Sequence, residues 1–143
     1  MKNCDFVRAK EIFDSGDYTC VLCKGEVTLT STECGVKPLL NWLDDENGAE
    51  GFSAADKVVG RAAAFLYVLL KVKEVYADVM GEGATDVLAK YGIRFSYGVL
   101  AKEIINRKGS GICPMEQAVT GIDVPEQALV AVREKIKELS NYT

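Results

Sequence analysis

The sequence of 143 residues contains no histidine. Histidine is the usual general base at neutral pH and the commonest metal ligand in proteins. Its absence excludes every Ser-His and Cys-His nucleophile arrangement and leaves carboxylates, lysines and cysteines as the reactive groups. We therefore predict no metal site, and no feature of the sequence indicates a cofactor.

Long apolar runs and long basic runs are also missing. The nine apolar residues between Arg61 and Lys71 fall far short of the about 20 that a helix needs to cross a bilayer. The 17 lysines and arginines are scattered among 21 acidic residues, so binding to a phosphate backbone has little electrostatic support. The N-terminal stretch 1–13 carries charges throughout, unlike a secretory signal. We predict a cytoplasmic protein that binds neither nucleic acid nor membranes.

The five cysteines are best interpreted as reduced thiols, because the chain shows no secretory signal. Cys20 and Cys23 form a C-x-x-C motif, but they lie in YTCVLCK, which is typical of a strand. An odd spacing on a strand sends two side chains to opposite faces. A redox pair normally opens a helix, so we do not favour that function.

The stretch Gly51–Lys71, GFSAADKVVGRAAAFLYVLLK, is predicted to form one central helix. Its apolar residues recur at steps of three and four, and its second half is apolar all round, which predicts a buried helix. Its first turn is polar. Ser53 and Asp56 are spaced like a shortened capping box. Asp56 therefore has two alternative roles, a functional one and the capping of this helix.

The rest of the chain alternates between predicted helices and strands. We expect helices at about 5–14, from Pro38, at about 84–91, at 114–119 and from Pro125. Strands are expected at 18–23 and 26–30 as a hairpin, at 74–79 and at 93–97, whereas 101–106 is ambiguous. This alternation predicts an α/β fold, a three-layer αβα sandwich with a mixed sheet around the central helix. The length suits a single domain, 1–143.

Four segments resemble a known family. They are GDYTCVL at 16–22, STECGVKPLL at 31–40, GFSAADKVVGRAAAFLY at 51–67 and CPMEQAV at 113–119. Together they are similar to the domain of unknown function 1893 family, and the order of the elements resembles the cytidine deaminase-like fold. The resemblance implies that fold and no particular activity.

The zinc motif of deaminases has no counterpart in this sequence. Zinc deaminases carry His-x-Glu or Cys-x-Glu at the start of the central helix and Pro-Cys-x-x-Cys at the start of the next. The matching positions here are Ala54–Asp56 and Gly81–Asp86, which contain neither histidine nor cysteine. The resemblance therefore does not extend to hydrolytic deamination by zinc-activated water.

A small-molecule pocket is expected at the start of the central helix. The residues that we place around it are Glu33, Lys37, Asp56, Lys57 and Arg61. Lys37 could meet an anionic group, and Asp56 could accept a hydrogen bond or act as a general base if burial raised its pKa. The alternative for Glu33 and Lys37 is a solvated turn near a helix start.

A second candidate site is the loop Arg107–Pro114, RKGSGICP. Glycines and basic residues ahead of a helix can cradle a phosphate, and the positive helix end would activate the Cys113 thiol. The loop lacks the Gly-Lys-Ser/Thr ending of a P-loop. The alternative to a reactive thiol is that Cys113 is only a small helix-capping residue.

Three functional hypotheses follow. The first is a zinc-less binding module for a nucleotide-like or phosphorylated small molecule. The second is a metal-independent transferase or hydrolase, with Cys113 as nucleophile or Asp56 and Lys57 as an acid–base pair. The third is a homo-oligomeric scaffold, and we expect a homo-oligomer in any case from the resemblance to deaminases. We favour the binding module, because no cluster supplies a recognisable nucleophile with an oriented base.

Overall fold

Helices and strands alternate along residues 4–46, 48–106 and 108–140, the part of the chain that the computed structural model describes. The helices are α1 (Cys4–Ser15), α2 (Lys37–Leu43), α3 (Arg61–Leu70), α4 (Glu82–Lys90), α5 (Pro114–Ala118) and α6 (Pro125–Ser140). The strands are β1 (Cys20–Lys24), β2 (Val27–Ser31), β3 (Ser53–Val59), β4 (Glu74–Gly81) and β5 (Arg94–Ala101).

The strands form one mixed sheet in the order β2-β1-β3-β4-β5. The hairpin strand β1 is antiparallel to both β2 and β3, whereas β3, β4 and β5 are parallel. Helices α3 and α4 make the two crossovers between parallel neighbours, and right-handed crossovers place both on one face of the sheet. Helix α1 covers the opposite face at β1 and β3. The predicted α/β architecture, a mixed sheet with helices on both faces, is confirmed.

The predicted helix Gly51–Lys71 is wrong in its first half. Residues 53–59 form strand β3, and the helix begins only at Arg61, after the extended Gly60. Ser53 to Asp56 are all buried, so this strand is covered on both faces and lacks the alternation that marks a strand in a sequence. A short buried run of this kind cannot be told from a buried helix by periodicity. The capping box of Ser53 and Asp56 is therefore also wrong.

The second half of that prediction is confirmed, because α3 is the buried centre of the molecule. It packs between the sheet and helices α2, α4 and α6. Its buried residues are Ala62, Ala63, Ala64, Phe65, Leu66, Tyr67 and Leu70. A surface helix shows one apolar stripe, whereas this one is apolar on nearly every side.

The C-x-x-C motif lies on β1 as predicted. Cys20 packs into the cluster around α3, and Cys23 packs into the separate cluster under α1. The two buried thiols are thus on opposite faces of the sheet, and they do not form a redox pair.

The remaining predicted helices and strands are present with shifted ends, including the hairpin and the helices from Pro114 and Pro125. In the ambiguous stretch 101–106, Ala101 ends β5, and Ile105 forms an isolated bridge with Ile112. Across the described ranges, no helix combines the length and the apolar character needed to cross a membrane.

Candidate functional site

Asp56 lies at the centre of a buried polar network. It sits on β3 directly across from Cys20 of β1, and Tyr67 reaches both from α3. The Tyr67 hydroxyl donates to Asp56 Oδ2 at 2.7 Å and lies 3.2 Å from Cys20 Sγ. The other carboxyl oxygen, Oδ1, accepts from the Lys57 backbone N–H at 2.8 Å. Each polar atom of this network has a partner.

Burial sets the protonation of the network. It raises the pKa of Asp56 to about 7, against the opposing effect of the hydrogen bonds from Tyr67 and from the Lys57 backbone. Burial and then the nearby charge of Asp56 raise the pKa of Tyr67 and of Cys20 well above their ordinary values. Asp56 therefore exchanges a proton near neutral pH, while the hydroxyl and the thiol keep theirs.

Lys57 does not join Asp56 as an acid–base pair. The two residues are consecutive on a strand, so their side chains lie on different sides of the backbone. Asp56 is buried, and Lys57 is exposed. Only the backbone N–H of Lys57 reaches the carboxylate. The arrangement therefore does not support an enzyme that uses Asp56 and Lys57 as an acid–base pair.

The start of α3 is capped by a residue that the sequence did not reveal. Glu116 of α5 accepts hydrogen bonds from the backbone N–H groups of Arg61, at 2.7 Å, and of Ala62, at 2.8 Å. A carboxylate is favoured at a helix N-terminus by the helix dipole. Gly60 makes room for it, because a Cβ there would lie 2.4 Å from Glu116 Oε1. The helix end that we expected to face a ligand is thus occupied from within the chain.

The Arg61 side chain binds the segment before α6. Its guanidinium binds the carbonyl of Ile122 and lies 2.9 Å from Asp123 Oδ1, with the Phe65 ring beneath it. It lines a cavity of about 140 Å³ between α3, α4 and the segment before α6, the Arg61 cavity. The remaining lining residues are Phe65, Asp86, Val87, Lys90, Tyr91 and Asp123.

Glu33 and Lys37 come together at a larger cavity beside α2. Lys37 Nζ lies 3.7 Å from Glu33 Oε1, and Asn41 Nδ2 donates to Glu33 Oε2 at 2.7 Å. Glu33 lines a cavity of about 300 Å³, the Trp42 pocket. The other lining residues are Thr30, Ser31, Thr32, Pro38, Asn41 and Trp42.

Trp42 and Asn41 are among the pocket residues that the sequence reasoning did not place at a site. Trp42 packs against the core, and one part of the residue lines the pocket. Helical spacing explains the cluster, because Lys37 and Asn41 lie one turn apart on α2. The position of β2 beside this turn is a tertiary feature that no local pattern indicates.

Thr19 joins the wall of the Trp42 pocket to the strand that carries Asp56. Its hydroxyl donates to the backbone carbonyls of Glu33, at 2.5 Å, and of Ser31, at 3.0 Å. Its own carbonyl accepts from the Lys57 N–H at 3.2 Å. The five predicted ligand-binding residues therefore fall into three places: Glu33 with Lys37, Asp56 with the backbone of Lys57, and Arg61 apart.

The loop around Cys113 uses several of its backbone N–H groups internally. Those of Asn106 and Gly109 donate to carbonyls within the loop, and the Ser110 N–H donates to the Asn106 side chain. The Cys113 N–H donates to the carbonyl of Ile104. Arg107 lies outside the described residues. A phosphate bound through these N–H groups would have to displace these bonds.

The predicted match of Ala54–Asp56 to the helix start of zinc deaminases is wrong, because these residues lie within β3 and not at a helix start. The helix start is Gly60–Arg61–Ala62, which also lacks histidine and cysteine. Within the described ranges, no three Cys, Asp or Glu residues lie close enough to hold a metal ion.

Thiol accessibility provides a first testable prediction. Cys34 is exposed, Cys113 is half-buried, and Cys20 and Cys23 are buried. We expect iodoacetamide to modify Cys34 before Cys113, and to reach Cys20 and Cys23 only in denaturant. Timed alkylation followed by peptide mass spectrometry measures this order. Faster reaction of Cys113 than of Cys34 at pH 6 would instead support the cysteine-enzyme hypothesis.

Comparisons with known proteins identify a family and similar solved structures. A family model described as a domain of unknown function (DUF1893) matches residues 8–136. The crystal structure of a DUF1893 family protein from Thermotoga maritima is similar, with a TM-score of 0.85 and 28% sequence identity. That match covers 94% of this chain and 92% of the other. No curated protein matches.

Proposed function

The chain belongs to the DUF1893 family, whose description assigns no function. We propose a function for it from the residues that line a pocket on its own surface. The protein is a binding module for a nucleotide-like or phosphorylated small molecule. The ligand occupies the Trp42 pocket, between the end of β2 and α2, and not the start of α3.

The observation that carries this proposal is the combination of groups in one open cavity of about 300 Å³. Small-molecule sites pair an apolar or aromatic surface with a few polar groups that fix orientation. Trp42 supplies the aromatic surface, and Asn41 and Glu33 supply an amide and a carboxylate. Thr30, Ser31 and Thr32 add hydroxyls and backbone groups along one wall.

The position of Lys37 favours a ligand with a negative charge. Its side chain is largely exposed and lies near the pocket in an ion pair with Glu33 at 3.7 Å. An exposed pair of this kind contributes about 0–1 kcal/mol, so it opens at little cost. The lysine can then turn to a phosphate while Glu33 accepts from a sugar hydroxyl or a base.

The single tryptophan makes the test direct, because all indole fluorescence comes from the pocket. We expect adenosine 5′-monophosphate or ribose 5-phosphate to change Trp42 emission saturably. Inorganic phosphate alone should bind more weakly, since it cannot cover the indole. Lys37→Ala should weaken the phosphorylated probes about tenfold, which corresponds to the loss of about 1.4 kcal/mol.

The matched control is Lys90→Ala, which removes a lysine from the Arg61 cavity. The proposal predicts the same affinity for this variant as for the wild type. Equal weakening by both substitutions would indicate nonspecific attraction, and weakening by Lys90→Ala alone would move the site to the Arg61 cavity. Emission that none of the probes alters would contradict this ligand class.

A further inference from the structure

The Arg61 cavity differs from the Trp42 pocket in size. Its volume is about 140 Å³, against about 300 Å³ for the pocket beside α2. An engineered protein cavity of about 150 Å³ holds one benzene molecule. The Arg61 cavity therefore suits a ligand of about six to nine non-hydrogen atoms, and a nucleotide is too large for it.

Four charged side chains line this cavity, and their charges cancel. Arg61 and Lys90 are cations, whereas Asp86 and Asp123 are carboxylates. A ligand with a single charge is attracted by one pair of these groups and repelled by the other. A ligand that carries both charges can place each of them near the opposite sign. The lining therefore favours a small zwitterion.

Arg61 is held in place and still has donors to offer. Both of its hydrogen bonds, to the Ile122 carbonyl and to the Asp123 carboxylate, come from Nη2. The Phe65 ring lies beneath the guanidinium, with its centroid 4.9 Å away. Within the described residues, Nε and Nη1 donate no hydrogen bond. An arginine that other contacts already position is well prepared to bind a carboxylate.

On α4, Asp86 and Lys90 lie one helical turn apart without pairing. An acidic residue one turn before a lysine is the favoured order for an ion pair on a helix. In the part of the chain that the structure describes, the Asp86 side chain has no hydrogen bond or ion pair. The Lys90 ammonium forms no ion pair either and lies 5.6 Å from the centre of the Tyr91 ring. Both charges are thus available at the wall of the cavity.

The same helix also supplies an apolar surface. Val87 and Tyr91, again one turn apart, line the cavity beside the two charged residues. Val87 is buried, whereas Tyr91 is 40% exposed. Small-molecule sites combine such an apolar surface with a few polar groups that fix the orientation of the ligand. The cavity can therefore hold a short apolar group next to a pair of opposite charges.

We propose that the Arg61 cavity binds a small α-amino acid with an apolar side chain, such as valine. Arg61 and Lys90 bind the carboxylate, and Asp86 binds the ammonium group. The isopropyl group packs on Val87 and Tyr91. This site is separate from the pocket beside α2 and does not depend on the function proposed for that pocket.

The test is a titration of the full chain, followed by proton–nitrogen correlation NMR, with L-valine and two analogues. 3-Methylbutanoate lacks the ammonium group of valine, and 2-methylpropylamine lacks its carboxylate. Valine is expected to shift the amides of residues 86–91 saturably. Each analogue should bind about tenfold more weakly or worse, because it loses one charge-assisted hydrogen bond.

Two substitutions at exposed positions assign the charges to their partners. Asp86→Asn should weaken valine about tenfold and leave 3-methylbutanoate no weaker, because that analogue has no ammonium group. Lys90→Ala should weaken valine and 3-methylbutanoate and leave 2-methylpropylamine no weaker. The matched control Asp17→Asn, also at an exposed position, should bind valine like the wild type.

The spectra also show whether each variant is folded, and the comparison of valine with its analogues needs no variant. Valine that shifts none of the amides of residues 86–91 would overturn the proposal. So would equal affinities for valine and both analogues, or equal weakening of valine by Asp17→Asn and Asp86→Asn.

Discussion

Replacing Asp56 by asparagine is expected to stabilise the protein at pH 8 by about 2–4 kcal/mol. The wild-type carboxyl has a pKa of about 7 in the folded chain and an ordinary value of 3.8 when unfolded. Below pH 3.8 it is protonated in both states and costs nothing. As the pH rises toward 7, only the unfolded chain loses this proton, so stability falls, and above pH 7 the loss stays constant. A difference of about three pKa units at about 1.4 kcal/mol each sets the upper limit.

Asparagine fits the same hydrogen bonds as a protonated aspartate. Its carbonyl can accept from the Lys57 N–H, and its amide can donate to the Tyr67 oxygen, whose hydrogen then turns to Cys20. Urea unfolding at pH 4, 6 and 8 measures the effect. The gain should be near zero at pH 4 and largest at pH 8, whereas Asp17→Asn, at an exposed position, should leave the unfolding free energy unchanged at all three pH values. An Asp56→Asn variant that is less stable than wild type at pH 8 would contradict this prediction. It would mean that interactions beyond the hydrogen bonds from Tyr67 and the Lys57 backbone stabilise the buried charge.

Removing the Glu116 carboxylate is expected to cost about 2–3 kcal/mol of unfolding free energy. Glu116→Ala leaves the N–H groups of Arg61 and Ala62 without their charged acceptor. Hydrogen bonds to charged groups contribute about 1.5–3 kcal/mol each, and these two are only partly buried. Glu134→Ala, at an exposed position on α6, should stay within about 0.5 kcal/mol of wild type.

Gly60→Ala tests the same contact from the other side. The added Cβ would overlap Glu116 Oε1, and because the glutamate side chain is flexible it would move away and lose both bonds. Gly60 has an extended backbone with φ of −98°, which alanine adopts without strain. The two substitutions should therefore cost similar amounts singly and little more together, as a double-mutant cycle by urea unfolding would reveal. Additive losses would show that Gly60 matters for another reason.

Sequence reasoning located the elements better than the site. The α/β class, the hairpin, the buried helix after Arg61 and the DUF1893 membership are confirmed. These features depend on local periodicity, on turn residues and on a conspicuous apolar run, all of which are visible along the chain. The relation to cytidine deaminases, the single domain and the site residues stay predictions.

The main error was the helix predicted where strand β3 lies. It had a physical cause, and it also affected the predicted site. Because β3 is buried on both faces, its residues lacked the alternation of a half-exposed strand, and Asp56 was placed on a helix beside Lys57. The same error led to the expectation that the start of the helix faces a ligand. Glu116 lies 55 residues from Arg61 in the chain, and only the folded arrangement brings its carboxylate to the helix.

The Trp42 pocket lies between the end of β2 and one turn of α2, and ligand binding there is the central proposal. Proton–nitrogen correlation NMR during titration with adenosine 5′-monophosphate tests it most directly, because the single indole N–H gives one separate resonance. We predict that this resonance shifts together with the amides of Thr30–Glu33 and Asn41. Shifts confined to the start of α3 or to the Arg61 cavity, with the indole resonance unmoved, would contradict binding at this pocket.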